Sequence, residues 1–97
     1  MFEFEFTNLV KDQLKNLKYD KGLNKRYKAV LSALSKLQNN PKHPSLNTHL
    51  YESLRGPNGE KIFEAYAENN TPAAYRIFFH YGPGKKIITV YSIQPHP

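Results

Sequence analysis

The sequence predicts one α+β domain, with two N-terminal antiparallel helices packed on one face of a mostly antiparallel β-sheet. Three observations predict it. Phe2, Phe4 and Phe6 alternate with Glu3 and Glu5, the period of a half-buried strand. Two apolar stripes at helical spacing follow, through Leu17 and through Leu37. From Leu54 onward, apolar runs at 62–67, 73–81 and 87–93 are separated by clusters of Gly, Pro and Asn, which is how strands joined by hairpin loops read. The expected order is β-α-α-β-β-β-β.

The N-terminal strand is flanked by charge, so it is expected at a sheet edge or paired with a later strand. MFEFEF is acidic and lacks a long apolar run, so it does not read as a signal peptide. Thr7 can cap the first helix with its hydroxyl. Val10, Leu14 and Leu17 form the first helical stripe, extended by Phe6 and Leu9. Asp20-Lys21-Gly22 reads as a helix stop, with Gly22 free to take a positive φ. Leu23, Tyr27, Val30, Leu31, Leu34 and Leu37 form the second stripe, ended by Asn39-Asn40-Pro41. Residues 39–48 are a polar loop. A strand from His49 to Leu54 comes next, with Leu50 and Leu54 inward and Glu52 in conflict with that register.

The middle C-terminal run has the highest density of β-favouring residues. A period of two puts Tyr75, Ile77, Phe79 and Tyr81 on one face and Arg76, Phe78 and His80 on the other. The expected core is Phe2, Phe4, Phe6, Val10, Leu14, Leu17, Tyr27, Val30, Leu31, Leu34, Ile77 and Phe79. In the last run Ile88 and Val90 oppose Ile87, Thr89, Tyr91 and Ile93. Two helices cover one face of a five-stranded sheet, so the other face, or part of it, is expected to stay open.

Ninety-seven residues bound the chain, residues 1–97, to one domain with one modest core. Thirteen Phe and Tyr residues supply the area that makes disorder an unsuitable reading. With no cysteine, disulfides, thiolate nucleophiles and Cys-based metal sites are excluded, and a reducing, cytoplasmic setting is expected. No apolar stretch is long enough to span a membrane. The net charge of +6 is unevenly placed: residues 11–43 hold nine Lys or Arg against two Asp, a net +7. The natural partner of that half is a nucleic acid or an acidic protein.

His43, His49, His80 and His96 fit no common zinc spacing, and there is no phosphate-binding loop, dinucleotide fingerprint or nucleophile elbow. No metal or cofactor is expected. What remains is Arg, Lys, His and Tyr on an α+β surface. Cutting RNA without a metal needs a base for the 2′-hydroxyl, a cation for the phosphorane-like charge and an acid for the 5′-oxygen. Arg or Lys can supply the second, and His, Glu or Tyr the other two. Aromatic rings such as Tyr51 or Tyr91 can hold splayed bases.

The C-terminal half resembles the small toxins of the RelE/ParE superfamily. Many of these carry a Leu-x-Gly, Glu-Leu-Arg, Tyr-Arg-x-x-Tyr/Phe and Ile-x-x-Leu succession after two helices. Here Leu54-Arg55-Gly56, Phe63-Glu64-Ala65-Tyr66, Tyr75-Arg76-Ile77-Phe78-Phe79 and Ile88-Thr89-Val90-Tyr91 occupy those places in that order. The resemblance implies the fold read above and an mRNA endoribonuclease that acts on the ribosome without metal. It implies a cognate acidic antitoxin as partner, with oligomers formed through it. Other members act on DNA gyrase, and a nucleic-acid- or antitoxin-binding module of weak or no activity is the further alternative. The strand arginine falls on Arg76, the C-terminal histidine near His96 and its aromatic counterpart on Tyr91 or Tyr81. The expected roles are charge stabilisation by Arg76, acid–base chemistry by His96 and base stacking by Tyr91. Lys42, His43, His49, Arg55 and His80 are expected to hold substrate. One position departs: Tyr66 stands where many members have arginine, and the missing cation is expected from Lys42, Arg55 or His49.

Overall fold

Each Phe of the N-terminal strand is half-buried while each Glu is exposed, as the alternation requires. This strand, β1 (Glu3–Phe6), lies at one edge of a five-stranded sheet. A computed structural model describes residues 1–96. After β1 come α1 (Asn8–Tyr19) and α2 (Asn24–Asn39), then β2 (His49–Arg55), β3 (Lys61–Tyr66), β4 (Tyr75–Tyr81) and β5 (Ile87–Pro95). The strand order is β1-β5-β4-β3-β2. Only β1 and β5 are parallel, with Phe4 beside Ile88 and Phe6 beside Val90. The other neighbours are antiparallel.

Thr7 joins the first two elements. Its Oγ1 accepts the Val10 N–H at 3.1 Å, capping α1, and donates to the Tyr91 carbonyl at 3.1 Å. Beyond the end of β1, the exposed edge of β5 is completed from α1: Gln13 Oε1 accepts the Ile93 N–H at 2.7 Å and its Nε2 donates to Ser92 Oγ at 3.3 Å. A sheet edge of that kind otherwise leaves backbone groups unpaired. Thr7→Ala removes a cap and the tie to β5 together, with an expected loss of about 1–2 kcal/mol. Urea unfolding checks it, as a lower midpoint with an unchanged slope.

The core lies between the helices and one sheet face. Val10 and Leu17 of α1 and Val30, Ala33, Leu34 and Leu37 of α2 meet Ala65, Ile77, Phe79, Ile88, Val90 and Ile93. Phe2, Phe4, Phe6, Leu14 and Tyr27 pack against its margin, only partly buried. Leu31 and Leu9, expected inside, are 44% and 52% exposed. Leu31 follows Val30 directly and so lies about 100° around the helix from it, outside the buried stripe. Leu9 stands in the same relation to Val10. Gly22 does not take a positive φ; it sits in a 3₁₀ turn, Lys21–Leu23, whose start is capped by Asp20 Oδ1 on the Gly22 N–H.

The strand faces follow the alternation up to one bulge. Opposite the Phe78/Phe79 step the register of β5 shifts, so that Phe78 pairs with Ser92 and Phe79 with Val90. Tyr91 is the extra residue. The slip is why Ile93 joins Ile88 and Val90 in the core, where strict alternation separates them. A second register shift lies in β2 between Leu50 and Arg55, which accounts for the conflict at Glu52 on this edge strand. The sheet face away from the helices is not wholly open. Ile62 and Phe78 are fully buried there, and Tyr51 covers Phe78 with its ring edge-on at 5.0 Å between centroids.

Candidate functional site

Toward one end of that second face, β2, β3, β4 and the segment after β5 bring four ionisable side chains together. Glu64 of β3 is the centre and is 1% exposed. In register it stands opposite His49 on one side and Phe78 on the other, two pairs away from Tyr66–Arg76 and on the same face. His49 Nε2 lies 2.8 Å from Glu64 Oε1. His96 Nδ1 donates to Glu64 Oε2 at 2.7 Å. Arg76 Nε lies 3.8 Å from the same oxygen. A carboxylate so deeply buried needs such partners, because an uncompensated charge there costs several kcal/mol.

The partners differ in what they leave free. His49 Nδ1 also faces an acceptor, the Asn47 carbonyl at 2.8 Å. An oxygen thus stands within hydrogen-bond distance of each ring nitrogen. His96 is engaged only through Nδ1 among the described residues. Its carboxylate partner fixes the tautomer and leaves the Nε2 lone pair unengaged, the geometry by which a carboxylate prepares an imidazole for proton transfer. The chain is anchored at that point, because the His96 N–H donates to the Ala74 carbonyl at 2.9 Å, one step past the end of the β4–β5 ladder. Pro97, expected to restrict the tail with Pro95, lies outside the described residues.

Arg76 is more enclosed than a phosphate clamp requires. It is 8% exposed. Its Nη1 donates to the Glu68 carbonyl at 2.8 Å and the Tyr75 carbonyl at 3.3 Å. Its Cζ sits 3.6 Å from the centre of the Tyr66 ring, and its Nε is buried without a hydrogen-bond partner. Tyr66 is thus the platform on which Arg76 stacks, a cation–π contact of short range. Arg76 braces the β3–β4 turn and neutralises Glu64 from below. The exposed members of the cluster are the side chains of His49 and His96, 42% and 46% accessible.

The other expected residues are not brought into this cluster. Tyr91 is half-buried at the β5 bulge, and no hydrogen bond or ring pair joins it to Glu64. Arg55 is exposed at the far end of β2, paired with Lys61. His80 is 4% exposed; its ring is held between the Tyr81 carbonyl, 3.2 Å from Nδ1, and Glu60, 4.0 Å from Nε2. It stands four positions along β4 from Arg76, about 13 Å away. Lys42 and His43 line a cleft floored by Phe63 and Tyr81, residues of the helix-side face. Glu64 itself was not among the residues expected to act. Its signal in the sequence is a lone carboxylate inside an apolar run, on the strand face shared with Arg76.

Near His80, Glu60 Oε1 accepts the Asn58 N–H at 2.8 Å. The Glu60 carboxyl lies below its ordinary value of 4.5, first through the hydrogen bond from its own backbone N–H and then through that of Asn58, with His80 adding a smaller pull against desolvation. A carboxyl depressed by folding stabilises above the unfolded value and loses that contribution as pH falls through the folded one. Glu60→Gln is therefore expected to melt below wild type at pH 6, with the gap closing as pH falls below the ordinary carboxyl value of 4.5. Thermal melts across that range check it.

Among the described residues, no group of three His, Asp or Glu side chains is placed to hold a metal ion. No family model and no curated protein matches the sequence. Solved structures do match. A YoeB/ParE toxin from Agrobacterium tumefaciens superposes with a TM-score of 0.71 at 9% identity, over 99% of this chain and all of that one. A chain of the archaeal RelE–RelB complex from Pyrococcus horikoshii gives 0.64 at 16% identity, over 97% and 93%. A chain of the intact E. coli RelBE toxin–antitoxin complex gives 0.62 at 9% identity, over 100% and 99%. At these identities the likeness is one of fold over the full length, and the fold of this chain is that of the RelE/ParE toxins.

Proposed function

We propose that the protein is the toxin of a toxin–antitoxin pair and cuts mRNA on the ribosome, with His96 as its acid–base residue. The observation that carries the reading is the convergence of His96 and His49 on buried Glu64, next to Arg76. In this account His96 Nε2 takes the proton of the 2′-hydroxyl or gives one to the leaving 5′-oxygen. Glu64 holds the imidazole in the required tautomer and stabilises its protonated form. With Glu64 ionised, Arg76 offsets its charge, and His49 and His96 are the exposed groups of the cluster that meet a phosphate. Tyr91 stacks a base in this account. In this account His96 carries one of the two proton transfers and water carries the other.

The partners follow from the surface. Lys11, Lys15, Lys18, Lys25, Lys28 and Lys36 are all exposed on the two helices, with Leu9, Tyr19 and Leu31 exposed beside them. A surface of lysines with apolar residues among them fits an acidic amphipathic antitoxin segment. It equally suits docking on ribosomal RNA, whose attraction is mostly charge.

One observation favours a second reading, a binding module with little or no activity. The enclosure of Arg76 by Tyr66 and two carbonyls leaves the face without a freely presented guanidinium. Induction in cells separates the readings. The nuclease is expected to arrest growth and to create new mRNA 5′ ends within translated frames, both suppressed by a co-expressed acidic partner. Growth without arrest and an unchanged set of mRNA ends would move the function to the binding module. Arrest with broken DNA and intact mRNA would indicate gyrase.

A further inference from the structure

We infer that the cleft between the 40–48 loop and the β3–β4 end of the sheet binds a nucleotide, its base on Phe63 and Tyr81 and its phosphate at Lys42. This deepens the nuclease reading and rests on it for the identity of the strand, a nucleotide next to the one being cut. The cleft is separate from the Glu64 cluster. It encloses about 410 Å³, within the range of small-ligand sites.

Its floor is aromatic. Phe63 and Tyr81 meet edge to face at 5.4 Å, Phe63 stacks on Phe79 at 5.7 Å, and Phe2 extends the row from Tyr81 at 6.1 Å. Tyr81 is 42% exposed although it belongs to a central strand. Its rim is polar and cationic. Lys42 is exposed. His43 Nδ1 accepts the Ser45 N–H at 3.1 Å, so in that tautomer its own N–H is on Nε2. Thr48 Oγ1 donates to the Pro41 carbonyl at 2.7 Å, which leaves its lone pairs as acceptors. Asn47 adds an amide. At the far side of the row, Lys86 Nζ lies 5.2 Å from the Phe2 ring centre.

Two rings under a rim of donors, acceptors and a cation suit a flat heterocycle that carries hydrogen-bonding edges and a negative charge. Single-stranded RNA is held in this way, by stacking and backbone charge. A direct bond ties the cleft to the catalytic cluster: the Asn47 carbonyl accepts the His49 Nδ1–H. A base seated against Asn47 therefore bears on the residue that contacts Glu64.

The test is binding read without cleavage, by NMR of the full chain with labelled aromatic and lysine side chains. Adenosine 5′-monophosphate is titrated, with adenosine and inorganic phosphate in separate arms. The expected result is shifts at Phe63, Tyr81 and Lys42, with adenosine weaker and phosphate weaker still. Lys42→Ala and Tyr81→Ala should each weaken binding about tenfold, as loss of one contact or stacking platform does. Lys42 is exposed, so its variant tests the site even if Tyr81→Ala unfolds. Shifts confined to His49 and His96, no shifts, or equal shifts with a short acidic peptide containing Phe would overturn the inference. Binding here by a chain that cuts no mRNA would keep the nucleotide site and remove the nuclease.

Discussion

Glu64→Ala is expected to destabilise the fold by about 3–5 kcal/mol, the cost of breaking a buried ion pair from one side. The carboxylate is 1% exposed, and Arg76, at 8%, is left behind without its counter-charge. The His96 hydrogen bond at 2.7 Å and the His49 contact at 2.8 Å go with it. For a chain of this size each kcal/mol moves the melting temperature by about 4–8 °C, so a fall of roughly 12 °C or more is expected. Glu64→Gln keeps the shape and one acceptor oxygen and should lose less. The control is the pair Glu64→Leu with Arg76→Met. Removing both charges should recover much of the loss, since apolar replacement of a buried pair is often neutral. If Glu64→Ala melts like wild type, Glu64 is not the centre of the cluster.

The fold was legible because its signals are local and agree with one another. The Phe–Glu alternation of β1, the stripes ending at Leu17 and Leu37, and the Gly–Pro punctuation after Leu54 each dictate one element, and all suit one layered sheet. What misled is equally local. Leu9 and Leu31 are apolar but lie a residue off the buried stripe, and the eye joins them to it. The β5 bulge at Tyr91 follows from tertiary pairing with Phe78 and Phe79, which no period along the strand announces. The site was legible in part. Arg76, His49 and His96 are brought together, yet nothing in their spacing says that one glutamate joins them. That depends on β3 lying between β2 and β4. Lys42 and His43 were assigned to the same place as His49 because they precede it in the chain. The loop that carries them lies instead against the helix-side face, where they line the cleft over Phe63 and Tyr81. Arg76 was expected to face a phosphate; Tyr66, read as a missing arginine, holds it down.

The acid–base role of His96 carries the largest expected effect on activity. His96 is exposed, so His96→Gln should fold and melt like wild type. Glutamine still offers an N–H to Glu64 but has no group that exchanges a proton near neutral pH. Loss of an acid–base group of this kind typically lowers the rate by about 100-fold or more. His49→Gln, which leaves His96 on Glu64, should fall less and keep the pH dependence of wild type. The deciding measurement is the rate of cleavage of ribosome-bound mRNA by wild type and His96→Gln at matched folded concentrations, from pH 5.5 to 8.5. The account predicts at least about a 100-fold loss at neutral pH and disappearance of the wild-type pH profile in the variant. Equal cutting by the two proteins, or a variant slower at every pH by one constant factor with the profile intact, would contradict it.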